Sequence, residues 1–457
     1  MNYEKMKSVG LAVLVAISII LTLSIWNYQP NYEAIKKDNI HEVSSISETK
    51  EASHLVKPSK VLFHKENENY GSTRDLETDE IMKEIQTWTF TNTVNVSTRF
   101  TTAKGLDELL HGHNRLELVF PAFVPFYTMN TITTFEDDSV PNAVFDRMVI
   151  TDVDTKEKRM TVYFVSTKER LVFKSVAVSP NLSSFKKQFI KEAEKWEPYA
   201  LYSIGRNKKL FLPEKQPVLS SYKYLPDEID IKDFRDLLFS DPSLVKKGLK
   251  TNGEEYTDGS TLMKVDYKTR MISYVNPAKE SEIDNPGSLH DLLDKSIKFI
   301  NEHSGWTDQY RLFEASPGSS KVSYRLFKNG LPVFNDQRTP EDHSTASDSS
   351  MAEIVQIWGQ DKVYKYSRPY FTLDISLPSE EEEVTLPDSA SVLKQVKKLD
   401  NFDPEQLEDI VVGYELLPDP QSSKVLVLEP AWFYKYGGSW QHLSFTEKTG
   451  GSVHGLE

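Results

Sequence analysis

Cysteine is absent from all 457 residues. That excludes thiol nucleophiles, zinc held by thiolates, disulfide staples and a lipidated cysteine anchor. Glycine is scarce, at 19 residues, and no G-x-G-x-x-G or G-x-x-x-x-G-K occurs. A phosphate cradle built from backbone amides is therefore not expected. H-E-x-x-H is missing as well. A basic excess is lacking too: 54 Lys and Arg stand against 68 Asp and Glu, a net charge of −14. Such a surface repels a phosphate backbone, which argues against nucleic acid as a partner. No cofactor is expected.

What is present is bulk for packed cores, with 23 Phe, 21 Tyr and 7 Trp. One long apolar run stands out. Ser8 to Trp26 carries no charge over 19 residues. As a helix it would reach roughly 28 Å, close to the hydrocarbon thickness of a bilayer. Trp26-Asn27-Tyr28-Gln29-Pro30 follows, with no small-residue cleavage pattern. Aromatic residues suit the membrane interface and Pro30 would stop a helix, so an uncleaved anchor is expected rather than a signal peptide. Lys5 and Lys7 precede the run, which puts the N-terminus in the cytoplasm and the rest outside the cell. Within the run Ser8, Ala12 and Ala16 recur every fourth residue, a spacing that lets a second helix approach closely. These three are the candidate partner-binding residues. The alternative is a lipid-facing helix with incidental small residues.

The expected organisation is a tail at 1–7, a transmembrane helix at 8–26 and a polar stalk at 27–55. An extracellular mixed α/β domain at 56–215 follows. Two α+β domains then come at 216–345 and 346–457, each an antiparallel sheet with one face under a helix. In the N-terminal domain, Ser184 to Trp196 has helical spacing. The last two domains read as copies. Tyr274-x-x-Pro277 matches Tyr366-x-x-Pro369, Tyr310 matches Tyr414, and Ser319-Ser320-Lys321-Val322 matches Ser422-Ser423-Lys424-Val425. The order is a hairpin, a helix (Ser288 to His303, then Ala390 to Leu399) and two strands.

Three sets of residues invite a chemical reading. Ser183-x-x-Lys186, Tyr274-x-Asn276 and Lys448-Thr449-Gly450 follow the order of a penicillin-recognising serine enzyme. Against it, the asparagine has no counterpart in the second copy. Only seven residues follow Gly450, too few for the covering helix such enzymes need. His111-Gly112-His113 offers half a metal site, but His41, His54 and His64 lie in unrelated context, so a surface pair is expected. Trp432, Phe433, Tyr434 and Trp440 would form either a sugar-stacking patch or a half-buried strand.

Several short segments carry a resemblance. They are Trp26-Asn27-Tyr28-Gln29-Pro30, Lys57-Pro58, Phe239-Ser240-Asp241-Pro242-Ser243, Leu331-Pro332-Val333-Phe334 and Leu428-Glu429-Pro430-Ala431-Trp432. With them the chain resembles the YycH family of Gram-positive bacteria over nearly its whole length. The resemblance implies a non-enzymatic, extracytoplasmic regulator of WalK (YycG), a sensor histidine kinase of a two-component system governing cell-wall metabolism. It also implies a sister single-pass protein, YycI, and contact with the kinase through transmembrane helices. A homodimer is left open. The rival expectation is a cell-wall-binding module with no kinase partner.

Overall fold

The computed structural model describes residues 13–22, 33–34, 48–66, 68–206, 208–282, 287–303, 305–335, 350–377 and 381–445. Mixed α+β architecture is what it shows, in two large sheets.

The N-terminal sheet has ten strands. At its centre Lys60–Lys65 pairs with Arg115–Pro125, which pairs with Val144–Asp154, then Arg159–Ser166, Leu171–Val178 and Thr89–Asn95, all antiparallel. On the other side lie Glu68–Ser72, Glu197–Ile204 and Lys208–Pro213. One face is aromatic. Phe126 sits 4.9 Å from Phe164 and 5.3 Å from Phe145, ring centre to ring centre. The Asp75–Gln86 helix buries Thr78, Ile81, Met82 and Ile85, a single helical stripe. The opposite face holds two smaller apolar clusters. One is Leu109, Leu110, Val149, Val165 and Val172, two of them from the Ala103–His111 helix. The other is Leu62, Val119, Tyr199 and Phe211.

The helix expected at Ser184 to Trp196 is interrupted. It is α-helical over Leu182–Lys186, a π turn over Lys187–Lys191 and 3₁₀ over Ala193–Lys195. Phe185 and Phe189 still face the core, 5.2 Å apart. Four-residue spacing already places both rings on one helical face, so the change of winding from Lys187 leaves them on the buried side.

The second sheet has fifteen strands. The expected helix is present as Leu289–Glu302, with Leu289, Leu292, Leu293, Ser296 and Ile300 buried, and Ser288 caps it by accepting from Asp291 N. The later helix is Ser389–Val396, capped by Asp388. Each half runs hairpin, helix, hairpin, but the halves share their strands. Met271–Val275 pairs antiparallel with Val363–Pro369, placing Tyr274 opposite Tyr366 and Ser273 opposite Ser367. Glu353–Trp358 then pairs with Lys321–Lys328. A boundary at 345/346 therefore passes between hydrogen-bonded neighbours of one sheet. The single parallel pairing along this sheet's described path is Leu331–Asn335 with Leu407–Asp419.

The two sheets meet over a common core that runs from Leu55 to Leu443. Polar ties cross the seam: Arg311 with Asp75, Tyr202 with Ser389 at 2.9 Å and Thr128 with His290 at 3.1 Å. At one point the backbones touch. Gly330 has φ +80°, and a Cβ added there would overlap the carbonyl oxygen of Thr73. Gly330→Ala is therefore strained in its own turn and wedges the seam apart. We expect a loss of about 2 kcal/mol or more in urea unfolding; unchanged stability would show that the seam is not closed at this turn.

Candidate functional site

The membrane stripe comes first. Ser8 and Ala12 lie outside the described residues. Ala16 lies in the helical segment 13–22, whose described side chains are all exposed. Leu14 and Ile20 are more than 60% accessible, an apolar surface with nothing of this chain packed on it. Among the described residues no helix is long and apolar enough to cross a membrane.

The serine-enzyme constellation is dispersed. Ser183 is exposed on the N-terminal sheet's short helix, and Lys186 Nζ donates to the Val153 carbonyl at 2.8 Å. Tyr274 is buried in the other sheet, paired with Tyr366. Lys448, Thr449 and Gly450 lie outside the described residues.

The aromatic strand near the end is covered on both faces, not one. Trp432 and Tyr434 join the main core, and Trp432 Nε1 donates to Pro387 O at 3.0 Å. Phe433 points the other way and stacks on Phe334 at 4.0 Å, beside Phe313 and Trp440. Arg325 lies between Phe313 and Phe334, 4.4 and 4.3 Å from their ring centres, and pairs with Glu353. Alternation alone predicts a half-buried strand here; the cover comes from residues a hundred positions earlier. No stacking face is left around Trp432.

The histidines gave the largest surprise. His64 and His111 converge on one buried carboxylate, Glu117. His64 Nε2 is 3.0 Å from Glu117 Oε2, and His111 Nε2 is 3.8 Å from the same oxygen. Arg147 Nε donates to Glu117 Oε1 at 3.2 Å and Arg147 Nη1 to Asp146 at 2.7 Å. His111 Nδ1 donates to Asp107 at 2.9 Å, and Lys209 Nζ donates to that carboxylate's other oxygen at 2.6 Å. Phe211 packs against both imidazoles, 4.8 Å from each.

The local cause is strand register. His64 sits opposite Arg115, and Leu62 sits opposite Glu117. His64 and Glu117 are then diagonal neighbours on one face. Burial works against a charged Glu117, but the His64 hydrogen bond, His111 and Arg147 outweigh it and hold its carboxyl down to about 2. Burial pushes His111 below its ordinary value, against the pull of Glu117 and Asp107. With Arg147 on the second oxygen, the cluster is an ion network. Among the described residues no group of three His, Asp or Glu is arranged to hold a metal ion.

Two open clefts lie on the second sheet. One, of about 510 Å³, lies between the halves of the second sheet and has Glu48, Lys50, Trp306, Asp308 and Leu373 in its wall. The other, of about 570 Å³, is lined by Tyr274, Asn276, Lys295, Phe299 and Trp358.

Comparison with known proteins settles the lineage. The family description for the N-terminal domain of YycH protein matches residues 4–194, and that for its C-terminal domain matches residues 207–450. The chain belongs to the YycH family. A relative in this family, from Bacillus subtilis (strain 168), is described as "Two-component system WalR/WalK regulatory protein YycH". It is 25% identical over 450 residues, covering 96% of each chain. The crystal structure of YycH from Bacillus subtilis shares the fold, with a TM-score of 0.72 at 21% identity over 87% of this chain and 98% of that one. The YycH-family fold thus accounts for both sheets described above.

The ion network makes a pH prediction for this YycH-family chain. His111 is lowered in the folded state, so the unfolded chain takes up that proton first. Its contribution is complete above about 6.5 and is lost as pH falls below that value. Glu117 is also lowered, and its contribution disappears between about 4.5 and about 2. Both act in the same direction. The urea midpoint should fall as pH drops from 7 to 4, and His111→Gln should remove the upper part of that fall. Glu117→Gln removes the buried carboxylate that His64 and Arg147 share, while Arg147 keeps Asp146, and should cost about 1–3 kcal/mol at pH 7; an unchanged stability there would contradict a buried ion network.

Proposed function

We propose that this chain is a membrane-anchored, extracytoplasmic regulator of a two-component sensor histidine kinase. The partner is WalK (YycG) or its counterpart, and a YycI-like single-pass protein acts alongside. The observation that carries this reading is the full-length match to a family whose curated relative is named a WalR/WalK regulatory protein. The sequence adds an uncharged run of 19 residues behind Lys5 and Lys7, and the structure adds an apolar helical surface at 13–22 with no cover. No catalytic role is assigned to any residue.

The physics of such a regulator is a difference of affinities. It must bind one signalling state of the kinase more tightly than the other, because equal binding to both shifts nothing. On this reading that difference is expressed through helix contacts in the bilayer or through the outer sheets. The stripe Ser8, Ala12 and Ala16 is the surface proposed for the helix contact. The rival wall-binding reading calls for an exposed groove at Trp432 and Trp440; Trp432 is buried and Trp440 is half-buried against Phe313 and Phe334, which favours the regulator.

The test exploits the absence of cysteine. Single cysteines at Ala16 and at Leu14, introduced one at a time, are oxidised against a kinase carrying single cysteines along its own membrane helices. Cross-links from position 16 and none from position 14 are expected. In parallel, replacing residues 8–26 with an unrelated apolar helix should abolish co-purification with the kinase in mild detergent. If the replaced helix co-purifies and regulates as the native one does, the helix-contact mechanism fails.

A further inference from the structure

Among the described residues the chain meets the second sheet first at Glu33–Ala34, paired antiparallel with Lys246–Lys247, and then at residues 48–50. Glu48 forms an isolated antiparallel bridge with Trp306, whose N–H donates to the Glu48 carbonyl at 3.3 Å. Two residues on, a single side chain grips the Lys50 backbone on both of its polar groups. The Lys50 N–H donates to Asn301 Oδ1 at 3.0 Å, and Asn301 Nδ2 donates to the Lys50 carbonyl at 3.0 Å. Asn301 thus stands in for one rung of a strand. Its orientation is fixed by Trp306 Nε1, which donates to the same Oδ1 at 2.7 Å. Lys50 Nζ continues inward and donates to the Asp308 carbonyl at 2.8 Å.

Immediately afterwards the short helix Ala52–Leu55 packs on the Phe126–Ile132 helix of the first sheet and on the Tyr310–Ser316 strand of the second. Leu55 and Val56 are fully buried there. The covalent path from residues 8–26 to the rest of the chain therefore passes through a clip on the second sheet and then through the seam between both. The clip itself is polar. Glu48 and Thr49 are exposed, and the segment's hold is hydrogen bonding rather than apolar burial. Segments of that kind open far more easily than the core they lie on. Glu48 and Lys50 also form part of the wall of the 510 Å³ cleft, so whatever enters that cleft meets the clip directly.

We propose that residues 48–50 are a strap that couples the membrane helix to the sheets, and that regulation of the kinase requires the strap to be docked on Asn301. This rests on the regulatory reading above. Docked, the strap gives the chain a second fixed point on the second sheet, after the pairing of Glu33–Ala34 with Lys246–Lys247. Released, the chain ahead of Ala52 keeps only that two-residue pairing among the described contacts, and a change around Asn301 no longer reaches it directly.

The experiment uses the full chain in membranes with the kinase. Asn301→Ala removes both contacts to Lys50. Asn301→Asp keeps the acceptor for Lys50 N and Trp306 Nε1 and loses only the donor to Lys50 O. Tryptic cleavage after Lys50 should rise about tenfold or more in Asn301→Ala and less in Asn301→Asp. Cleavage after Lys264, within the second sheet, is expected to stay at the wild-type rate and so reports that the body is folded. Kinase autophosphorylation should lose its dependence on the chain in the same order. Unchanged cleavage after Lys50 in a folded Asn301→Ala chain would overturn the strap, and an opened strap with intact regulation would overturn its coupling role. A wild-type chain with a protected Lys50 and no effect on the kinase would sink the regulatory reading instead, and the coupling role with it.

Discussion

Tyr274 faces Tyr366 across the antiparallel pair that joins Met271–Val275 to Val363–Pro369, and the shape of the second half follows from that pair. Both tyrosines are buried, and Phe299 from the Leu289–Glu302 helix packs edge-on against Tyr366 at 5.1 Å. Without this ladder each half would have an open strand edge and an uncovered helix face. With it, the strands from Lys246 to Ser376 are one hydrogen-bonded surface. A displacement at one end of such a surface is transmitted as a rigid movement, because close-packed interiors deform little. The ladder is therefore what makes the second sheet able to act as a lever on the chain that Asn301 holds.

Local patterns carried the reading of the sequence a good distance and failed wherever two distant segments had to be brought together. The Leu289–Glu302 helix was legible because its apolar residues recur every three or four positions and Ser288 caps it, all within fifteen residues. The hairpin–helix–hairpin order of both halves was legible for the same reason. That the two halves share one ladder across 345/346 was not. Which strand pairs with which is decided by long-range register, and both Glu353–Trp358 and Val363–Pro369 look like an ordinary local hairpin in either arrangement. The same limit hid the convergence on Glu117. His64 and Glu117 are 53 positions apart, and nothing near either residue signals the other. A period-two reading of Lys60–Lys65 against Arg115–Pro125 puts both on a common face only once the strands are known to be neighbours.

The candidate stripe was legible as spacing alone. Ser8, Ala12 and Ala16 mark a surface that a helix would present, but a contact surface is defined by its partner. The match to a two-component regulatory protein runs along 96% of the chain, with recognisable segments spread from Trp26 to Trp432 rather than gathered at one place. Ser183 is exposed, whereas Tyr274 and the Glu117 network are held in the packing of their sheets.

Rigidity and attachment then divide the work. The Glu117 network braces one face of the first sheet with paired charges, which tolerate little rearrangement because each group removed strands another in a poorly solvating interior. The second sheet is braced by its continuous ladder. Between the two lies the Ala52–Leu55 helix, and ahead of it the polar clip at Lys50. A regulator built from two stiff bodies needs one compliant joint if it is to bias a partner between states. The clip has the properties such a joint requires: a hold made of hydrogen bonds, no core of its own, and a position between the Glu33–Ala34 pairing and the buried Ala52–Leu55 helix. Stiffness everywhere else is what would make a change at that one place count.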